Sequence, residues 1–340
     1  EFDAVVGNPP YQIVNEGNGT GADPIYHLFI DVARDICGKG TFIHPARFLF
    51  NAGKTPKEWN AKILNDEHFR VVQYWPDSSD VFPTVDIKGG VVVTAWDVTK
   101  KSEKIGVFVT DDGVRPIMNK VLNSFFKSFS SIIYTRDLYR LSNRLYEENP
   151  WAEKRPSKGH KFDVGSNVFE IFPELFYNNP PNTKDYAMII GVKKNLREKH
   201  WIKKTYLLLP DNFDYYKVFV AKANGSGSFG EALSSPIVGN PNEGSTATFL
   251  SVGRFSTKKE AENVVKYLRT KFARTMLSTL KVTQNSARDT WANVPLQDFT
   301  ENSDIDWTKT ISEIDKQLYK KYELTEEEIN FIETKVQPME

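Results

Sequence analysis

The segment that most constrains this chain lies at its start, residues 2–11, FDAVVGNPPY. Phe2, Ala4, Val5 and Val6 form an apolar run of the length of a buried strand. Gly7 ends it, and Asn8-Pro9-Pro10-Tyr11 follows. Two consecutive prolines fix two φ angles and remove two backbone donors. Each also holds the residue before it away from the α region. The sequence therefore predicts a stiff, extended peptide leaving the carboxyl end of a strand, where open α/β sheets bind ligands. It presents an Asn amide oxygen and a Pro carbonyl as neighbouring acceptors, with an aromatic face beside them. The exocyclic amino group of a flat base matches that arrangement.

A second copy supplies a contrast. Asn179-Pro180-Pro181-Asn182 follows Tyr177 in a polar stretch, with no apolar strand before it and no aromatic after it. It reads as loop punctuation.

The first copy resembles the catalytic motif of the adenine-N6 DNA methyltransferases of bacterial restriction–modification systems, in which Asp/Asn-Pro-Pro-Tyr follows a hydrophobic strand. The arrangement is similar to the large type II restriction–modification methylases with a Taq-like specificity domain after the catalytic domain. The resemblance implies that Asn8 and Pro9 accept hydrogen bonds from the amino group of an adenine flipped out of the duplex. It implies that Pro10 stiffens the motif and that Tyr11 stacks on the base. It also implies S-adenosylmethionine as methyl donor and double-stranded DNA as partner, with no covalent enzyme intermediate.

The following residues read as a doubly wound parallel sheet. Residues 12–23 are a polar loop beside the motif, long enough to close over a base. Asp23 and Pro24 open a helix in which Ile25, Leu28, Phe29, Val32 and Ile36 fall at helical spacing. Strands are expected at 40–45, 69–75, 89–98 and 105–109, and helices at 56–65 and 112–132. His27 and Asp31 lie one turn apart and read as a helix-face pair, so no metal site is expected. The loop 77–88 holds Phe82, locked by Pro83. By order and context it matches the family's Phe that stacks on the flipped adenine.

The family's cofactor half is not recognisable. A Gly-rich loop after a first strand, and an acidic residue ending a second, normally precede the motif, but only seven residues do so here. Residues 225–230, GSGSFG, have a Gly-x-Gly-x-x-Gly form, yet Pro236 leaves barely a turn of helix behind them. The chain thus reads as a fragment that needs an upstream half or a partner subunit to bind the cofactor.

The second half is basic. Residues 151–300 carry 22 Lys and Arg against 14 Asp and Glu, a net +8, whereas residues 1–150 carry −2 (17 against 19) and residues 301–340 carry −6 (5 against 11). Such a segment suits phosphate neutralisation. Strands are expected at 168–172, 186–192, 201–209, 215–221 and 247–253. Among them Lys193, Lys194, Lys203, Lys204, Lys217 and Lys222 interleave with Trp201, Tyr206, Tyr215, Tyr216 and Phe219, as on a nucleic-acid surface. One helix is expected over 257–279, capped by Ser256 or Thr257. The run from Thr248 to TWANVPLQDF resembles the closing half of a target-recognition domain. Glu333-Thr334-Lys335 has the Glu-x-Lys form of a nuclease metal site but reads as a solvated helix face.

The fold class expected is therefore α/β, the C-terminal part of a Rossmann-like methyltransferase sheet followed by an α+β target-recognition domain. The expected domains are 1–132, 133–300 and an acidic helical tail, 301–340. The single cysteine, Cys37, excludes an internal disulfide and reads as buried filler. With no apolar run of the length a membrane span needs and no signal peptide, a bacterial cytoplasmic setting is expected. Two rival readings stand beside the methyltransferase: a non-enzymatic DNA-binding specificity module, and an unrelated nucleotide-binding α/β protein.

Overall fold

A strand needs a hydrogen-bonded neighbour, and the order in which this chain supplies neighbours sets its first sheet. The structure, a computed structural model, describes residues 2–14, 22–109, 111, 113–124, 127–135 and 137–339. The chain forms two compact units, residues 1–112 and 113–340. The boundary thus falls before the expected 132/133, and the acidic tail packs within the second unit instead of standing apart.

In the first unit β1 (Val5–Gly7) leads to a short antiparallel ladder of β2 (Gln12–Val14) and β3 (Ala22–Pro24). Then come α1 (Tyr26–Ile36), β4 (Lys39–Pro45), α2 (Lys57–Leu64), β5 (Phe69–Trp75) and β6 (Val91–Asp97). The sheet order is β1-β4-β6-β5. β1 and β4 are parallel, joined by α1 as crossover, while β6 runs antiparallel to both β4 and β5. This corrects the all-parallel expectation. A parallel return needs a crossover of a dozen or more residues, usually helical. Residues 76–90 contain only a one-turn 3₁₀ segment, so the chain doubles back and fills the place between β4 and β5. Residues 105–109, expected as a strand, form none.

Close packing at β4 depends on Gly40, where a Cβ would lie 2.2 Å from the Trp96 ring and 2.7 Å from the Val5 carbonyl. Its absence lets the Trp96 indole lie across β4 and donate from Nε1 to the Cys37 carbonyl at 3.0 Å. Cys37 is buried, and its thiol donates to the Phe2 carbonyl.

The residues whose spacing marks α1 are not its buried face. Tyr26, His27, Ile30 and Ala33 are buried, while Leu28, Phe29, Val32 and Ile36 are exposed. The helix begins two residues later than expected, without a side-chain cap: residues 22–24 pair with β2, and Asp23 is ion-paired with Lys54 at 2.7 Å. β1 is the edge strand on the same unit, and Phe2 and Val6 are exposed there.

The second unit opens with α3 (Val114–Asn123), β7 (Arg140–Leu141), α4 (Asn143–Glu148) and α5 (Val168–Ile171), a short helix where a strand was expected. β8 (Tyr186–Lys193) and β9 (Leu196–Lys203) form a long hairpin, followed by β10 (Leu207–Leu208) and β11 (Tyr216–Ala221). β12 (Ile237–Gly239), β13 (Glu243–Ser245) and β14 (Phe249–Phe255) complete two three-stranded sheets, β13-β8-β9 and β12-β11-β14.

The helix expected over 257–279 is two, α6 (Lys258–Arg269) and α7 (Lys271–Ser278). Thr257 caps the first; Thr270, extended at φ −61° and ψ 146°, breaks the run and caps the second by accepting from the Ala273 N–H. α8 (Ile311–Lys321) and α9 (Glu326–Lys335) each start with a capping box. Buried Asp315 on α8 accepts from the backbone N–H groups of Lys271 and Phe272, the first turn of α7. Glu333 is tied to Lys271 and the Tyr319 hydroxyl, so the Glu-x-Lys sequence is structural.

Candidate active site

The motif leaves β1 at the carboxyl end of the parallel pair. Pro9 is buried, Asn8 and Pro10 are exposed, and Tyr11 is half-buried. No group among the described residues donates to the Pro9 carbonyl. The Tyr11 carbonyl accepts from the Ile25 N–H at 3.1 Å, which ties the motif to the start of α1. Asn8, Pro9, Pro10 and Tyr11 line one wall of a cleft of ≈ 720 Å³. Tyr26, Pro45, Arg47, Lys54, Thr55 and the segment 85–88 line the rest.

Phe82 reaches the motif through Tyr11 and is not itself among the residues that line the cleft. Its ring meets Tyr11 edge-on, with centroids 6.4 Å apart and planes at 64°. The loop that carries it is fixed by Ser78, whose hydroxyl donates to the Val85 carbonyl and accepts from the Ile87 N–H, both at 2.8 Å. The Tyr11 hydroxyl is shut away from solvent with no partner in hydrogen-bond geometry among the described residues. Burial pushes its pKa up, and the nearby Asn8 side chain pulls the other way.

The floor is an aromatic stack. Tyr26 lies face to face with His44, centroids 5.1 Å apart and 16° between planes, and both border Phe48. Burial drives the His44 imidazole down to about 4, and its Nε2 lies 2.8 Å from the Thr94 hydroxyl, so it is neutral at pH 7. Burial pushes the Tyr26 phenol up to about 12, against Thr55 and Arg47. His27 packs edge-on against Trp59, whose Nε1 donates to Asp31 at 3.0 Å. The pair is therefore structural, and no cluster of metal-ligating side chains occurs among the described residues.

Arg47 brings a positive charge to the cleft, a contribution the sequence reading missed; Lys54, which also lines it, is paired with Asp23. A signal was present: Arg47 stands just past the end of β4, the strand beside the motif, where the same switch-point rule applies. Residues 15–21, the centre of the loop expected to close over a base, lie outside the described residues.

The cleft does not fit the cofactor. Among the described residues its only acidic lining residue, Asp86, is paired with Lys88 at 2.6 Å. Its described walls hold no glycine-rich turn opening a helix. The other candidate turn, residues 225–230, is already filled: the Glu231 carboxylate accepts from the N–H groups of Ser226 and Gly227 at 2.8 and 3.0 Å and is paired with Lys281. Gly227 (φ +94°) lies so close to the Val282–Thr283 backbone that a Cβ would sit 2.3 Å from it. The turn wraps a carboxylate of its own chain, not a ligand.

The proposed DNA-facing lysines separate. Lys194 is exposed and Lys193 half-buried at the turn of the β8–β9 hairpin; Lys204 and Lys222 are half-buried. Lys203 is held by Glu148 and the Tyr206 hydroxyl. Lys217 is a correction: it is 0% exposed, and its ammonium donates to the carbonyls of Phe213, Asn240 and Glu243 at 2.7–3.1 Å. It cannot reach a phosphate. Tyr206 and Phe219 belong to the apolar core.

Residues 1–82 match the family model of the Eco57I restriction-modification methylase. Over 153 residues the chain is 30% identical to a protein of Mycoplasma pneumoniae (strain ATCC 29342 / M129 / Subtype 1) described as an uncharacterized adenine-specific methylase; the alignment covers 40% of this chain and 36% of that one. The type IIG restriction endonuclease BpuSI aligns with a TM-score of 0.30 and 10% identity, over 94% of this chain and 50% of the endonuclease. The chain thus spans half or less of the length of these relatives. No helix among the described residues is long and apolar enough to cross a membrane. The family match runs from the motif to Phe82, so the part of the chain that builds the aromatic face is the part similar to the restriction–modification methylases.

Proposed function

We propose that this chain carries the adenine-binding and DNA-reading parts of an adenine-N6 DNA methyltransferase of a restriction–modification system. The observation that carries the reading is the convergence of Asn8, Pro9 and Tyr11 with Phe82 at the carboxyl end of β1. The Asn8 amide oxygen and the free Pro9 carbonyl accept the two N–H bonds of an adenine amino group. Tyr11 supplies an apolar face and Phe82 a second ring beside it, which suits a flipped base. Holding both hydrogens fixes the amino nitrogen and turns its lone pair out of conjugation with the ring, which is what methylation there requires. Arg47 favours an adjoining phosphate.

S-adenosylmethionine is the methyl donor this reading implies, and this chain's described residues do not form its site. A further methyltransferase portion, upstream in the same polypeptide or in a partner subunit, supplies it. The open edge of β1 and the exposed face of Leu28, Phe29, Val32 and Ile36 are where it docks.

The test is methyl transfer from labelled S-adenosylmethionine to duplex DNA, by the chain with and without its upstream genomic sequence. Activity only with the upstream portion is expected. Activity of the chain alone would place the cofactor within it. Sequence-specific DNA binding without activity in either form would favour a non-enzymatic specificity module.

A further inference from the structure

The β8–β9 hairpin does more than close a sheet. β13 pairs with β8 only at Met188, Ile189 and Ile190. Beyond them, β8 and β9 continue as a two-stranded ribbon to a two-residue turn, Lys194-Asn195, with Lys193 opposite Leu196. Both turn residues are left-handed, at φ 48° and 63°, the geometry that matches strand twist in a tight hairpin. Asn tolerates that conformation; Lys is an unusual choice for it. A lysine held there against its preference places a charge at the ribbon's tip.

The two faces of the ribbon differ. Val192 packs against the core, and Arg197, directly opposite it, lies over the Phe249 ring and donates to the Ser235 carbonyl. On the other face, Leu196 is 67% exposed beside Lys193. Neither Lys193 nor Lys194 is paired with a carboxylate among the described residues, and the nearby Glu198 is taken by His200. The tip therefore offers two unneutralised ammonium groups, one amide and one bare aliphatic side chain.

We infer that this ribbon enters the major groove of duplex DNA and helps to choose the sequence that is modified. A two-stranded ribbon fits that groove. Lys193 and Lys194 meet phosphates, the Asn195 amide suits the paired acceptor and donor of adenine, and Leu196 suits a thymine methyl group. The inference rests on the DNA-modifying reading above.

The decisive variant is K194N/N195G. It creates Asn-Gly, the most favourable pair for this turn, so the hairpin is kept or strengthened while a charge is removed and the amide is moved from position 195 to position 194. Binding of the full chain to mixed-sequence duplex is measured by fluorescence anisotropy across salt concentrations. The expected result is undiminished thermal stability with a salt slope smaller by about 0.9, because one phosphate is no longer neutralised. Selection from a random-sequence pool then shows discrimination at one base pair relaxed by about fivefold or more. Leu196→Ser is expected to relax an adjacent position with the salt slope unchanged. Unchanged slope and unchanged selectivity in K194N/N195G would overturn the ribbon's role while leaving the DNA-modifying reading in place. Failure of the unsubstituted chain to bind duplex DNA would overturn both.

Discussion

At Tyr11 the ring and the hydroxyl separate cleanly. Among the described residues the hydroxyl has no geometric partner and its burial is unfavourable, whereas the ring meets Phe82. Tyr11→Phe is therefore expected to leave base binding within about twofold, and Tyr11→Ala to weaken it by about 1–3 kcal/mol, the usual worth of an aromatic against a base. Titration of a duplex carrying an abasic site opposite the target, with and without free adenine analogue, separates these variants. Lys217 illustrates what a residue-level reading misses. In sequence it is one basic residue among aromatics; in the structure the Phe213 carbonyl and two carbonyls from the β12–β13 turn, Asn240 and Glu243, converge on it, and burial lowers its pKa to about 8. Such convergence depends on residues 213, 240 and 243 being brought together, which no local spacing encodes. Lys217→Met is expected to destabilise by about 2–4 kcal/mol, since it strands buried carbonyls, and to leave DNA affinity of the folded protein unchanged; denaturant titration beside anisotropy checks both.

Among the elements, those with strong end signals were legible. β1 is bounded by Gly7, β4 ends at Pro45, and Thr257 caps α6, all as their residue types dictate. The faces were harder. α1 buries Tyr26 and His27 because its partners are His44, Phe48 and Trp59, an aromatic floor that accepts polar rings. Its more hydrophobic stripe remains outside. Val32→Glu is expected to change the stability of this chain by less than about 0.5 kcal/mol and to abolish association with the cofactor-binding portion, read by co-purification of the two. If complementation survives that charge, the docking face is elsewhere. The break between α6 and α7 hangs on one side chain: Thr270→Ala removes the α7 cap at a cost of about 1 kcal/mol in denaturant unfolding.

Over the whole molecule, one buried group in each unit answers acid with the opposite sign. In the first, buried His44 has a folded pKa of about 4 against 6.5 unfolded, so the unfolded state takes up the proton first. Its stability is complete above pH 6.5 and falls by about 2–3 kcal/mol by pH 4.5. In the second, burial raises Asp315 to about 6 from 3.8, against the N–H bonds of Phe272 and Lys271. There the folded state takes up the proton first, and stability rises by about 2 kcal/mol between pH 7 and 4.5. Calorimetry at both pH values is expected to show His44→Gln removing most of that acid-induced loss from the first unit and Asp315→Asn removing that acid-induced gain from the second. The central claim, that Asn8 holds the amino group of the base, is tested most directly by methyl transfer to duplex DNA from Asn8→Ala in the polypeptide that includes the cofactor-binding portion. A loss of about 10²–10³-fold in rate with DNA affinity retained is expected; adenine methylation at the unsubstituted rate would contradict it.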